Sequence, residues 1–108
     1  MKRPQRVRVL GKQFAVAYVP AGDDALKNAE GEDCLGMCSP ARQTVHVEDG
    51  QPLETEQETT LHEVMHAIED AMGLDLDETV ISQMSKGLIA VVKDNPSFVR
   101  YLMAKPTR

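Results

Sequence analysis

The chain has no tryptophan, and its 108 residues include only two tyrosines and two phenylalanines. So few aromatic faces leave little on which bases could stack, which argues against a single-strand nucleic-acid platform. Cations are also in deficit: 12 Lys and Arg face 17 Asp and Glu, a net charge of -5. Such a balance disfavours non-specific binding to phosphate backbones. Long hydrophobic runs are missing, and none approaches the ~20 residues that cross a bilayer. The basic start at residues 1–8 leads into a segment broken by Gly11, Lys12 and Gln13, unlike the apolar core of a signal peptide. The expectation is a cytoplasmic protein with no nucleic-acid or membrane partner. Cysteine is scarce as well. Cys34 and Cys38 have a C-x-x-x-C spacing outside the usual zinc and redox patterns. They read as two free thiols, with a disulfide or a second metal site as the alternatives. The length suits one domain, 1–108, with a modest core and loose tails at 1–5 and 105–108.

What is present is periodicity, of two kinds in sequence. Val7 and Val9 alternate with Arg6 and Arg8, and Phe14, Val16 and Tyr18 alternate with Ala15, Ala17 and Val19. With a turn at Gly11-Lys12 and a stop at Pro20, this reads as a β-hairpin. Residues 20–33 read as a loop with a helical turn near 25–29. Residues 34–37 suggest a short strand in which Gly36 marks a bend or close packing. Ser39-Pro40 is a turn, and residues 43–48 alternate again around Val45 and Val47.

From residue 55 the period becomes helical. Leu61, Val64, Met65, Ile68, Ala71 and Met72 form one stripe over about residues 55–72, with Thr55 and Glu58 as a capping box and Gly73 as the stop. Asp75 with Glu78 could cap a second helix carrying Val80, Ile81, Met84, Leu88, Val91 and Val92. Asn95-Pro96 ends it and opens a third, short helix with Phe98, Val99, Leu102 and Met103 on its inner side. These stripes read as core. Strands first and helices second predict an α+β domain, a small antiparallel sheet packed on the first helix.

That helix carries His62-Glu63-Val64-Met65-His66, the pattern H-E-x-x-H. Positions i and i+4 lie one turn apart on one face, so two imidazoles can hold one Zn²⁺. Glu63 flanks that face, where a carboxylate can act as general base on zinc-bound water. A catalytic zinc wants a third protein ligand. Glu69, Asp70, Asp75, Asp77 and Glu78 are the acids within reach in sequence. Glu69 and Asp70 lie too close along the same helix. They fit partners of a ring N–H or, more simply, solvated charges.

The stretch from Thr60 to Glu69, followed by Leu76-Asp77-Glu78 and Gly87-Leu88, resembles small phage and prophage zinc-metallopeptidase-like proteins. These are similar to the ImmA/IrrE type among the HExxH-plus-glutamate gluzincins. The strands before the helix and the Asp94-Asn95-Pro96 stop are similar too. The resemblance implies a zincin-like domain from about residue 7 onward. It also implies that a glutamate at the start of the next helix, here Glu78, is the third ligand beside His62 and His66, whereas the residues alone leave open plain capping by Glu78 with Asp75, or Asp77 or another acid as the ligand.

Two functions follow as expectations. One is a zinc-dependent metallopeptidase acting on a peptide or protein substrate, with Glu63 as general base. Residues 43–48 could serve as an edge strand for the substrate. Tyr18, His46 and Tyr101 are the only obvious side chains for an oxyanion donor; no motif selects one, and each reads more simply as core or surface. The other is a non-catalytic zinc-binding regulatory or adaptor domain of phage or prophage origin.

Overall fold

The alternation at the start of the chain becomes strands β1 (Arg6–Val9) and β2 (Lys12–Val19) in the computed structural model, which describes residues 2–107. Met1 and Arg108, the outermost residues of the two expected tails, lie outside the described residues. The turn is Leu10-Gly11, one residue earlier than expected, with φ of 47° and 86°. Two consecutive left-handed residues make a two-residue hairpin whose twist matches its strands, and Val9 pairs with Lys12. The loop after Pro20 holds a single 3₁₀ turn, Asp24–Leu26, capped by the Asp23 side chain and anchored by fully buried Leu26. This replaces the longer turn expected at 25–29. Strands β3 (Gly36–Ser39) and β4 (Thr44–Glu48) complete one sheet.

The domain is α+β, as the order of periods implied, but its sheet is mixed and not antiparallel. The strand order is β1-β2-β4-β3, and β2 runs parallel to β4 with Val16 against Val45 and Tyr18 against Val47. The loop that buries Leu26 carries the chain past the position next to β2 and lays β3 outermost. The β3–β4 return then brings β4 in between. Val45 and Val47, both fully buried, occupy this central place. Residues 43–48 are therefore an inner strand, correcting their assignment as a substrate-binding edge. The edges are β1 and β3.

Helix α1 (Leu53–Ala71) lies on the sheet face formed by Val9, Phe14, Val16, Val45 and Val47, with Ala67 buried against them and Val64 and Ile68 at the rim. It starts two residues before the expected place. Pro52 is its N-cap, no side chain caps it, and Thr55–Glu58 forms no capping box. Glu54 and Glu56 in the first turn still favour the positive helix end. The C-terminus follows expectation: Gly73 has φ 66°. The Leu74 N–H donates to the Glu69 carbonyl at 2.9 Å and the Gly73 N–H to Asp70 at 3.2 Å, a Schellman stop.

Where α1 crosses β3, Gly36 is required by space. A Cβ there would lie 2.7 Å from Thr59 Cγ2 and 2.9 Å from Glu63 Cγ. Gly36→Ala is expected to push β3 off the helix, costing about 1–3 kcal/mol. Denaturant unfolding checks this, and stability unchanged from the parent would refute the close approach.

Helix α2 (Glu78–Asp94) returns along α1, and α3 (Pro96–Met103) follows after Asn95. The cap of α2 is Asp77, whose Oδ1 accepts the Thr79 N–H at 2.8 Å, in place of the Asp75 pairing expected. Only Ile81 and Ser85 of α2 are buried; Ser85 donates to the Ile81 carbonyl at 2.7 Å. The rest of the stripe expected as core stays open to solvent. Val80, Met84, Leu88, Val91 and Val92 are 40–50% exposed, and Phe98, Leu102 and Met103 of α3 are 47–74% exposed. A single α1 covers one side of α2, and nothing in the described chain covers the next.

The described N-terminal residues are not loose. The Arg3 guanidinium bonds Asp49 at 2.7 Å and Glu56 at 3.1 Å and stacks 3.9 Å over the Tyr18 ring. The Tyr18 hydroxyl donates to the Pro4 carbonyl at 2.7 Å.

Candidate metal centre

One turn of α1 separates His62 from His66, and their rings meet edge to face with centroids 5.0 Å apart. Glu78, first residue of α2, reaches across to both. Its Oε1 lies 2.5 Å from His62 Nε2 and its Oε2 3.0 Å from His66 Nε2. One ligand atom from each of the three residues falls within 4.8 Å of the others. Donors at roughly 2.0–2.1 Å from a tetrahedral zinc lie ~3.3 Å apart, so two imidazole nitrogens and one carboxylate in this cluster fit such an ion. The same donors suit other divalent metals.

The loop between α1 and α2 must deliver Glu78 to this height, and Glu69 arranges it. Its Oε2 accepts the Leu76 N–H at 2.5 Å, while Oε1 pairs with His66 Nδ1 at 3.0 Å. Those contacts, the Leu76 N–H foremost, hold the Glu69 carboxyl below its ordinary range. Glu69 is thus not the solvated charge that was the simpler expectation. A carboxylate at Nδ1 favours the proton there and turns Nε2 toward Glu78, and the bond to Leu76 pins the loop that presents Glu78. Glu69→Gln should weaken metal affinity by roughly 10–100-fold, readable by competition with a chelating dye. Unchanged affinity would leave Glu69 without that role. Ser82 Oγ, unnoticed in the sequence because serine at helical spacing carries no signal, lies 3.5 Å from His62 Nδ1.

Glu63 is buried beneath β3, beside Gly36. Burial pushes its carboxyl up to about 7, with Glu78 adding to the rise and His66 and the Cys38 N–H opposing it. Glu63 therefore keeps its proton to higher pH than an ordinary carboxylate. Cys34 and Cys38 are free and line the same cleft. Burial raises both thiols, Cys38 to about 12 with help from Glu63 and Asp70. A neutral thiol is a poor metal ligand, and neither belongs to the cluster.

Two hollows flank the cluster. One of about 590 Å³ lies on the His66 side and one of about 330 Å³ on the His62 side, and Gly36, Cys34, Glu63 and Glu78 border both. Strand β3 forms their shared wall. The Glu48 N–H bonds the Leu35 carbonyl, so by alternation Gly36 and Cys38 turn their N–H and C=O outward. None of Tyr18, His46 and Tyr101 borders either hollow. Tyr18 is engaged with Arg3 and Pro4, His46 sits on inner strand β4, and Tyr101 is exposed on α3. Asp70, Asp75 and Asp77 stay out of the cluster. Among the described residues no helix is long and apolar enough to cross a membrane. No family model, curated protein or solved structure matches this chain.

Proposed function

We propose that this chain is a zinc-dependent peptidase in which His62, His66 and Glu78 hold the metal and Glu63 moves the proton. The observation that carries the reading is the meeting of three ligand atoms within 4.8 Å beside a buried carboxyl whose pKa stands at about 7. A purely structural zinc site has no use for such a base and is usually closed and cysteine-rich. The resemblance of the motif to small phage and prophage metallopeptidases supports the same reading.

When bound, zinc would acidify a water and polarise the scissile carbonyl. Everything else falls to the chain. Glu63, in the cleft wall beside the cluster, takes the proton of the attacking water and returns it to the leaving amine. Glu69 and Ser82 orient the two imidazoles. Strand β3, the sheet edge beside the cluster, is where an extended peptide would lie, running from one hollow to the other past Glu63. This moves the substrate strand from β4 to β3.

A second reading, a non-catalytic zinc-binding regulator, draws on one observation. Among the described residues, no tyrosine or histidine beyond the ligands borders the cleft to stabilise an oxyanion. The test is to load the protein with one zinc per chain and expose it to a degenerate peptide library read by mass spectrometry. Cleavage that stops in chelator supports the peptidase. Intact peptides with zinc bound support the regulator.

A further inference from the structure

The apolar side chains that α2 and α3 leave in solvent form the largest unexplained feature of the fold. Among the described residues, nine of the fifteen exposed large hydrophobic side chains lie on these two helices. On α2 the covered side is centred on Ile81, Ser85 and Ile89. The stripe Val80, Met84, Leu88 and Val91 sits about 100° further round. Lys86 and Lys93 project on the side opposite that stripe, so its centre carries no charge. Met84, Leu88 and Val91 are spaced four and three apart, the spacing by which one helix packs its side chains into another.

The surface area says how much is left uncovered. A compact monomer of 11.9 kDa exposes about 5,900 Å², whereas this chain exposes 7760 Å². The excess is about 1,900 Å². A stable interface takes about 800 Å² from each partner, so half the excess suffices. The radius of gyration, 14.6 Å, also exceeds the about 13 Å of a compact chain of this length. Helix α3, eight residues long, is too short to persist on its own in water and buries no residue within the chain.

We infer that the chain forms a two-fold dimer, with the Met84–Leu88–Val91 stripe of α2 packed against the same stripe of a second copy and α3 closing over its end. A two-fold interface needs a self-complementary patch, and an uncharged stripe at knob spacing is one. The net charge of -5 disfavours the other occupant of an amphipathic face, an anionic lipid surface. The ligands and Glu63 lie on the α1-facing side, so each copy keeps its own cleft.

Sedimentation velocity of the zinc-loaded protein tests this. A species of twice the chain mass is expected at about 100 µM, dissociating on dilution. Leu88→Lys should weaken association by about 10²–10³-fold, since both copies lose a central side chain. Zinc stoichiometry and far-UV dichroism should stay at parent values, which separates dissociation from misfolding. A parent that remains monomeric overturns the inference, as does a dimer that survives Leu88→Lys. A monomer that co-sediments with phosphatidylglycerol vesicles would overturn it in favour of a membrane surface.

Discussion

Protein carrying Glu63→Gln is expected to hold zinc as the parent does and to lose peptide hydrolysis by roughly 10²–10⁴-fold. Stripped of metal, it should melt well above the parent at pH 8. The first half follows from position: Glu63 is outside the cluster of His62, His66 and Glu78, so its loss spares the ligands and removes the base. Glutamine keeps the shape and hydrogen-bonding reach but accepts no proton at neutral pH. The second half follows from burial. In the metal-free fold the carboxyl stands at about 7 against an ordinary 4.5. A raised acid favours the folded state's protonated form. Folding therefore carries no penalty below about pH 4.5. The penalty grows as the unfolded chain ionises and levels off above about 7. The direction of the shift sets the sign, and the size of the penalty is on the order of a few kcal/mol. Glutamine, neutral throughout, escapes it. Melting curves in chelator at pH 4 and pH 8 check the sign: the variant's advantage should appear at pH 8 and nearly vanish at pH 4. An advantage equal at both would show that Glu63 is not the titrating group.

How much of this was legible in the sequence depends on what kind of information each feature needs. The motif helix was readable because i, i+4 spacing and the 3.6 period are properties of one segment. Gly36 was readable as a close approach for a similar reason, since a glycine inside a strand pattern has few other uses. Strand order was not: alternation around Val45 and Val47 says which face is buried, while central placement depends on how the loop with Leu26 steps over β2. Both helix starts slipped by two residues. Several capping residues compete within one turn, and docking of the helix chooses among them, selecting Pro52 over Thr55 and Asp77 over Asp75. The Arg3–Tyr18 stack joins residues far apart in sequence and left no local trace. Periodicity marked the α2 stripe as apolar but could not say whether this chain or another molecule covers it. Glu78 was one of five candidate acids in the sequence, and only the family resemblance singled it out. Its reach to both rings depends on Glu69 holding Leu76, a tertiary bond that spacing does not announce.

The pair Asp77 and Glu78 lets the ligand role be separated from the capping role, because adjacent acids at one helix start have different partners. Asp77 accepts the Thr79 N–H, whereas the Glu78 carboxylate spans the two Nε2 atoms. Asp77→Ala is expected to cost about 1 kcal/mol of fold stability, the usual effect of a lost cap, and to leave zinc stoichiometry at one. Glu78→Ala should do the reverse. It removes one of three ligands, so zinc affinity should fall by well over the roughly 10–100-fold assigned to an outer partner such as Glu69. Its metal-free stability should hold near the parent's, because Glu78 is largely exposed, no cap is lost, and a charge that raises Glu63 is gone. Stabilisation by added zinc grows with the ratio of free metal to its dissociation constant. The zinc-induced rise in melting temperature seen in the parent should therefore nearly disappear in Glu78→Ala and persist in Asp77→Ala. If Glu78→Ala keeps the parent's zinc affinity while Asp77→Ala loses it, the third ligand is Asp77. If both keep it, the centre is built on His62 and His66 with some other acid, and the arrangement of α2 over α1 has a purely structural cause.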